Sequence, residues 1–387
     1  MESDSHHLYV HVPFCRLVCA YCDFVTVGGR ARDVPRYTDA VLAELAMRPA
    51  PGVLRTVYFG GGTPSLLDPS QVARIVQASV QRWGRVELEE VTLEANPSGR
   101  EAPDWTALRQ AGVTRISLGV QSLRDQELAT LARGHSGEEA SAAYRGARAA
   151  AFDSVSVDLI YGIPGQSLAD WHDGLERVLD LAPDHVSCYA LQLALAPDDW
   201  AAPPRPGALR WRRTMAARQD DGLAAAQYQL AEELLGAAGF EHYELSSWAR
   251  PGHLSRHNAA YWDRHAYTGV GAGAHSYDGT AERSWNARDL DEYLTAVEAG
   301  GRPVAGAEIL AEGDRAFEAM ALGLRRIDGV ERTAFALEFG TDPLDRFAEG
   351  LAAHAVRSLI ETSADRLRLT AAGRLMASEA CLAFLPG

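Results

Sequence analysis

Lysine is missing from this chain. All 37 basic residues among its 387 are arginine, which excludes Schiff-base catalysis on lysine and the lysine of a phosphate-binding loop. Positive charge is short overall: 52 acidic residues leave a net charge of −15. That excludes a nucleic-acid partner, because phosphates require a basic face. A bilayer span needs about 18 consecutive apolar residues, and no such run occurs. The opening "MESDSHH" is acidic and polar, unlike the apolar centre of a signal peptide. Cysteine is scarce. Of the five, Cys188 and Cys381 stand alone, which is no disulfide framework. Internal repeats and low-complexity segments are absent as well. These absences predict a soluble, cytoplasmic protein without a transmembrane segment, long enough for one large α/β unit and a smaller appendage.

The other three cysteines stand together. "VPFCRLVCAYCDF" (12–24) holds Cys15, Cys19 and Cys22 in a Cys-x3-Cys-x2-Cys spacing. Disulfides use cysteines in pairs, and structural zinc usually closes with four ligands. A cubane of four irons needs one ligand per iron, usually a thiolate. Three thiolates therefore leave one iron free to chelate an amine and a carboxylate. S-adenosylmethionine (SAM) offers both on its methionine end. An electron from the cluster can then cleave the sulfonium to give methionine and a 5′-deoxyadenosyl radical. The alternative on the same residues is a zinc site completed by a nearby histidine such as His11.

Around this loop the first half alternates β-rich runs with helical stretches. The runs are 8–12, 54–59, 87–95, 113–120, 154–162 and 185–193; amphipathic stretches include 36–47, 69–83 and 167–182. Strand-helix-strand order, repeated, predicts parallel pairing with right-handed crossovers. Periodicity does not decide between a closed barrel and an open crescent. A Pro-rich stretch (196–207) reads as a linker, 208–238 as one long helical segment, and 240–277 as rich in histidine and aromatics. The tail ends in a short strand pair within 359–370. Each of the six strands ends in something unusual: the cysteine loop, Gly60-Gly61-Gly62-Thr63, Glu94, Gln121, Asp158, and Ala190-Leu191-Gln192. In barrel-like α/β folds chemistry collects at the carboxyl ends of strands, so all six ends point at one site.

The cysteine spacing, with Tyr21 just before the third cysteine, resembles the radical SAM superfamily. The resemblance implies a partial (β/α)6 barrel, a [4Fe-4S] cluster on Cys15, Cys19 and Cys22, and bound SAM. Gly61 and Gly62 match a motif that such enzymes use for the substrate ammonium, for which the Gly62 carbonyl, the Thr63 hydroxyl and Glu94 are acceptors. Arg133 in "LARGHS" matches the planar cation for the methionine carboxylate. Gln121 and Asp158 are placed for ribose hydroxyls, and Tyr9 would lie near the cluster. Taken singly, each of these is as often structural.

The resemblance narrows further. "YVHVPFCRLVCAYCDF", "GGGTPS", "LEANP", "ISLGVQS", "DLIYGIPGQ" and "GVGAGAHSY" together are similar to the oxygen-independent coproporphyrinogen III oxidase group, over nearly the whole chain. That implies a C-terminal helical domain of winged-helix character. The group has a decarboxylating branch and a branch of HemW-type heme chaperones. The first continues to a fourth cysteine, where this chain has Phe24, and carries an arm ahead of the motif. "HNAAYW" matches the His-Asn-x-x-Tyr-Trp motif of the heme chaperones, naming His257, Asn258, Tyr261 and Trp262 as heme residues. An imidazole can ligate heme iron while flat aromatics pack the macrocycle. The plainer reading is a satisfied histidine in an aromatic core. Five of the chain's 12 histidines do fall within the 34 residues 242–275.

The expectation is a heme chaperone whose partners are heme, acceptor proteins such as respiratory enzymes, and an electron donor. The alternative is a coproporphyrinogen III dehydrogenase. A transcription regulator is disfavoured: from Gly313 on, nine arginines face eleven acidic residues, without a basic stripe. The C-terminal domain reads instead as a lid or docking module. The expected division is 1–200 for the barrel with cluster and SAM, 201–310 for barrel completion and the heme motif, and 311–387 for the C-terminal domain.

Overall fold

Six strand–helix units follow one another along the first half of the chain. The strands are β1 (Ser5–Val12), β2 (Val53–Gly61), β3 (Val86–Ala95), β4 (Arg115–Gln121), β5 (Ser154–Tyr161) and β6 (His185–Ala190). Between them run α1 (Val34–Met47), α2 (Pro69–Arg82), α3 (Trp105–Gln110), α4 (Asp125–Thr130), α5 (Gly137–Ala149) and α6 (Leu168–Asp180). The computed structural model describes residues 4–99, 102–193, 206–352 and 358–385. Local chemistry sets the helix starts. Asp68 with Gln71, Ser136 with Glu139, and Ser167 with Asp170 each form a reciprocal capping box, which satisfies N–H groups that the first turn leaves without partners.

Each strand of the six pairs in parallel with the next. The sheet does not close. The free edge of β1 takes a seventh parallel strand, β9 (Ala266–Val270). Beyond it lie β10 (His275–Tyr277), β11 (Glu282–Asn286) and β12 (Val304–Ile309), all antiparallel. The far edge of β6 takes β8 (Ser247–Ala249) and then β7 (Glu241–Glu244), also antiparallel. The result is an open 12-stranded sheet in the order β12-β11-β10-β9-β1-β2-β3-β4-β5-β6-β8-β7. The stretch 201–310 thus extends the same sheet at both edges. The expected long helix over 208–238 is two helices, α7 (Pro206–Ala216) and α8 (Asp221–Ala237), because Asp220 caps a new start at Leu223 N–H. The expected linker lies almost wholly outside the described residues, as does the 200/201 boundary.

Side chains alternate strictly along the parallel strands. One face carries Leu8, Val10, Val57, Phe59, Val91, Leu93, Ile116, Leu118, Val155, Val157 and Val186, all buried in the main core. The other face is polar. His7, Tyr9 and His11 of β1 stand beside Thr56 and Tyr58 of β2, then Thr92 and Glu94 of β3, Arg115 and Ser117 of β4, Ser156 and Asp158 of β5, and His185 and Ser187 of β6. Parallel strands buried on both faces are usually apolar throughout. A polar second face marks this sheet as the wall of a cavity.

The "GVGAGAHSY" stretch is locked to α1 by a buried network. Glu44 is fully buried and pairs with Arg48 at 2.7 Å. Glu44 also accepts from Gly271 N–H, Asn286 Nδ2 and Tyr293 hydroxyl, each at 2.8 Å. Gly271 has φ 102°, and a Cβ there would collide with the Tyr37 hydroxyl. Tyr37 in turn donates to His11 carbonyl at 2.7 Å, so this network holds the end of β1 where the cysteine loop begins.

The tail forms a helical, winged-helix-like domain. Two helices, Glu312–Gly323 and Arg332–Phe339, pack with a three-stranded antiparallel sheet in the order β13-β15-β14, made of β13 (Val330–Glu331), β14 (Ile360–Thr362) and β15 (Arg366–Leu369). β14 and β15 are the expected strand pair. Their own apolar cluster includes Met320, Phe335, Leu367 and Phe384.

Candidate functional site

The six strand ends converge on one cavity of about 1130 Å3. Its wall includes Cys15, Cys19, Cys22, Tyr21, Gly61, Gly62, Thr63, Glu94, Gln121, Arg133 and Asp158 from the sequence reading, with Ala190, Leu191 and Gln192 after β6. Asn258 of the helix α9 (Arg256–Trp262) also reaches it. Tyr9, His257, Tyr261 and Trp262 do not line it. They lie behind the wall.

The cysteine loop is held at four points. Phe14–Cys15 pairs in parallel with Val27–Gly28. Gly62 N–H donates to Val12 carbonyl and Thr63 N–H to Phe14 carbonyl, both at 2.8 Å. A Cβ on Gly62 would lie 2.7–2.8 Å from the carbonyl oxygens of Phe14 and Pro13, so only glycine permits this approach. From the other side Arg212 of α7 donates to Ala20 carbonyl at 3.1 Å and to Asp23 at 2.5 Å. The sequence reading missed Arg212: it is one of three arginines in "RWRR" (210–213), and nothing local marks it for a partner 189 residues away.

Three thiols face one cavity from one loop, and burial pushes the Cys22 thiol up to about 12, with Cys19 and Cys15 adding to the effect. Among the described residues no three His, Cys, Asp or Glu side chains are gathered closely enough to share a single ion. His11 is spent as well: its Nε2–H donates to Val25 carbonyl at 2.7 Å and its Nδ1 accepts from Tyr9 hydroxyl at 3.1 Å. The zinc alternative therefore lacks its fourth ligand, whereas a cubane takes each thiolate on a different iron.

Arg133 is a half-buried cation in the cavity wall, which also holds the buried Arg115. Nη1 donates to Cys19 Sγ and Tyr21 hydroxyl at 3.3 Å, and Nη2 to Asn96 at 3.0 Å and Gly119 carbonyl at 2.9 Å. Its Nε is buried with no acceptor. A buried donor without a partner costs about 1–3 kcal/mol, and a ligand carboxylate would relieve it.

Two carboxyls face the cavity from β3 and β5, on either side of β4. Glu94 accepts from Tyr58 hydroxyl at 2.8 Å and from Gly61 N–H at 3.0 Å. Burial, with Asp158 adding to it and the two hydrogen bonds opposing, lifts its pKa to about 7. Asp158 accepts from Ser117 at 2.7 Å and Ser156 at 3.2 Å; burial raises its pKa and these hydroxyls hold it down. Gln121 ends β4 with φ 65°, a left-handed conformation that costs a non-glycine residue about 1–3 kcal/mol and collects at functional sites.

The "HNAAYW" helix sits beneath this wall. Glu90 of β3 accepts the N–H groups of Arg256 and His257 at 3.0 and 3.2 Å. The His257 imidazole is 1% exposed. Its Nδ1 shares a hydrogen bond with Thr56 Oγ1 at 2.7 Å, and its Nε2 one with Tyr261 hydroxyl at 2.9 Å. Burial drives its pKa far below the usual value, so the ring is neutral. Neither nitrogen is open; to ligate iron, His257 must first release a partner. Trp262 lies under the Arg325 guanidinium, 4.3 Å from the ring centre. Arg325 and Arg374, from the C-terminal domain, line the same cavity. The sequence reading overlooked both.

Comparison with known proteins agrees with this architecture. Residues 9–178 match the radical SAM superfamily, and residues 310–376 match the HemN C-terminal domain. The heme chaperone HemW of Mycobacterium tuberculosis is 38% identical over 389 residues, covering 97% of this chain and 94% of that protein. HemW of Bacillus subtilis is 30% identical over 385 residues, with 97% and 98% covered. The mouse mitochondrial radical S-adenosyl methionine domain-containing protein 1 is 36% identical over 333 residues, 84% of this chain and 74% of that one. Among solved structures, coproporphyrinogen III oxidase (HemN) from Escherichia coli, a radical SAM enzyme, superposes with a TM-score of 0.82 at 23% identity over 99% of this chain and 91% of its own. That likeness fixes the fold. The family follows from the near-full-length identities: this chain belongs to the HemW family of the radical SAM superfamily.

Proposed function

We propose that this protein binds heme and hands it to acceptor proteins, respiratory enzymes among them, while keeping a [4Fe-4S] cluster and a SAM pocket. The observation that carries the choice is Phe24. It stands 65% exposed at the cavity mouth, where the decarboxylating branch carries a further cysteine. Cys15, Cys19 and Cys22 would hold the cluster, which an external electron donor reduces. Bound there, the cluster supplies one electron to SAM. Arg133 Nε would take the methionine carboxylate; the Gly62 carbonyl, Thr63 and Glu94 the amino group; Gln121 and Asp158 the ribose. Tyr21 packs beside them, Gly61 keeps its backbone on Glu94, and Tyr9 buttresses Tyr58 from behind. The orphaned Arg133 N–H and the side-chain-free turn at Gly61 and Gly62 support this placement.

Heme would dock at α9, with Asn258 at the cavity and His257 as axial ligand once Tyr261 leaves its Nε2. Tyr261 and Trp262 would flank the ring. No described helix is long and apolar enough to cross a membrane, and we place the protein in the cytoplasm. We divide it at about residues 200 and 310, with the last part, bearing Arg325 and Arg374, as a lid or docking module. The test is a heme titration of the anaerobically reconstituted protein, expected to reach about one heme with an imidazole-type Soret band. His257→Ala should abolish or reshape that band. Incubation with coproporphyrinogen and SAM should yield no protoporphyrinogen; more than one turnover would transfer the protein to the decarboxylating alternative.

A further inference from the structure

The "HNAAYW" helix and the cavity wall share one stacked pair of rings. His257 lies 4.9 Å from the Tyr58 ring centre at an interplanar angle of 27°. Tyr9 lies 6.1 Å from Tyr58 at 25° and 6.4 Å from His257, so the three rings form a triangular cluster. Tyr58 packs against both of the others, with His257 the nearer, and its hydroxyl is the donor to Glu94 at 2.8 Å. Gly60 tightens the fit: a Cβ there would lie 2.9 Å from Tyr58, 3.0 Å from Tyr9 and 3.2 Å from Glu94.

We infer that His257 is a positioning residue for the SAM pocket, its imidazole pressing Tyr58 into the orientation that holds Glu94. The SAM half of this inference rests on the reading of the strand ends given above. His257 is itself over-determined, by Thr56 on one nitrogen, Tyr261 on the other, and Glu90 at the backbone. With all three partners in place it acts as a fixed plate. Without it, one face of Tyr58 opens onto a void of imidazole size. The ring can then swing, and the buried Glu94 loses one of its two donors. Glu94 contacts the ligand; His257 acts only through Tyr58.

The test uses cluster-loaded, heme-free protein and SAM affinity by calorimetry. A hydrogen bond of ordinary strength is worth about 2- to 10-fold in affinity, so Tyr58→Phe and His257→Ala should each weaken SAM by about that factor. His257→Phe, which keeps a ring on Tyr58, should stay within about twofold of wild type. The double variant Tyr58→Phe/His257→Ala should be no weaker than the weaker single, because both remove one interaction. Full additivity, or wild-type affinity in His257→Ala, overturns the inference. A second readout does not depend on SAM: the Glu94 carboxyl band in infrared spectra, identified by its loss in Glu94→Gln, titrated with pH. Its midpoint should rise in Tyr58→Phe and in His257→Ala but not in His257→Phe. Asp158 and Tyr58 are the titratable groups facing it. If wild type binds no SAM, the pocket reading fails, and the infrared midpoints then decide the positioning role alone.

Discussion

Glu94→Gln isolates the electrostatic strain of the pocket wall. The Glu94 carboxyl stands there between Tyr58, Gly61 and Asp158, and its pKa is lifted from 4.5 to about 7 chiefly by burial. At about 1.36 kcal/mol per pH unit, that interval is worth about 3 kcal/mol. Because the carboxyl faces an open cavity, solvent screening lowers the working figure to about 2 kcal/mol. The sign follows from linkage. The unfolded chain ionises Glu94 more readily than the folded one. The folded state is therefore unpenalised below pH 4.5, loses stability as pH rises through 7, and levels off above it. The neutral amide of the Glu94→Gln variant would carry no such slope. Urea denaturation of the cluster-free protein, wild type against Glu94→Gln, from pH 5 to pH 8, should show the difference moving by about 2 kcal/mol in favour of the variant. Part of the change will come through Asp158, relieved of a like-charged neighbour. Parallel pH profiles for the two proteins would refute the argument. The same strain has a functional side: a cationic or N–H-donating ligand stabilises the ionised carboxylate, so the pocket favours such a group.

Anaerobic reconstitution should give about four irons and four sulfides per chain; Cys15→Ala, Cys19→Ala and Cys22→Ala should each lose them, Cys188→Ala and Cys381→Ala should not, and one tightly bound zinc without iron would defeat the reading. Arg133→Ala should weaken SAM by about 10- to 150-fold, the worth of a charge-assisted hydrogen bond, with iron content measured in parallel because Arg133 also touches Cys19; unchanged affinity would assign the carboxylate to another group. Glu44→Ala should destabilise the protein by about 3–5 kcal/mol, since it strands Arg48 in the interior; a loss under about 1 kcal/mol in urea denaturation would mean that water replaces the carboxylate.

What could be read from the chain beforehand was the chemistry carried by short contiguous motifs. The cysteine loop, the Gly-Gly turn and the polar strand ends are local, and parallel pairing in chain order brings their ends together without further information. The strand alternation was legible too, in "SVSVD" and "TRISLGV", and it marks a polar inner face; it went unused because parallel strands are expected to be apolar on both sides. Closure was not legible. It depends on what covers the free edge of β1, and the answer is "AYTGV" (266–270), too short for a period and far away in sequence. Pairwise partners such as Glu44 with Asn286 or Arg212 with Asp23 are equally invisible, because nothing local in the sequence marks either partner for the other.

His257 lies between these two cases. Its motif is local and was found, and its burial follows from the aromatics around it. What the motif does not state is that both nitrogens are already bonded and that the ring stacks against Tyr58 at 27°. Those facts change the question that the motif poses. A ligand on Nε2 must displace the Tyr261 hydroxyl, and any tilt of the ring that accompanies it is felt at Tyr58 and so at Glu94. On the proposed reading, binding at α9 and binding at the strand ends would share one free-energy term, and linkage would make the effect reciprocal. A satisfied core histidine and a ligand-binding histidine would then be two states of the same side chain, separated by the hydrogen bond to Tyr261.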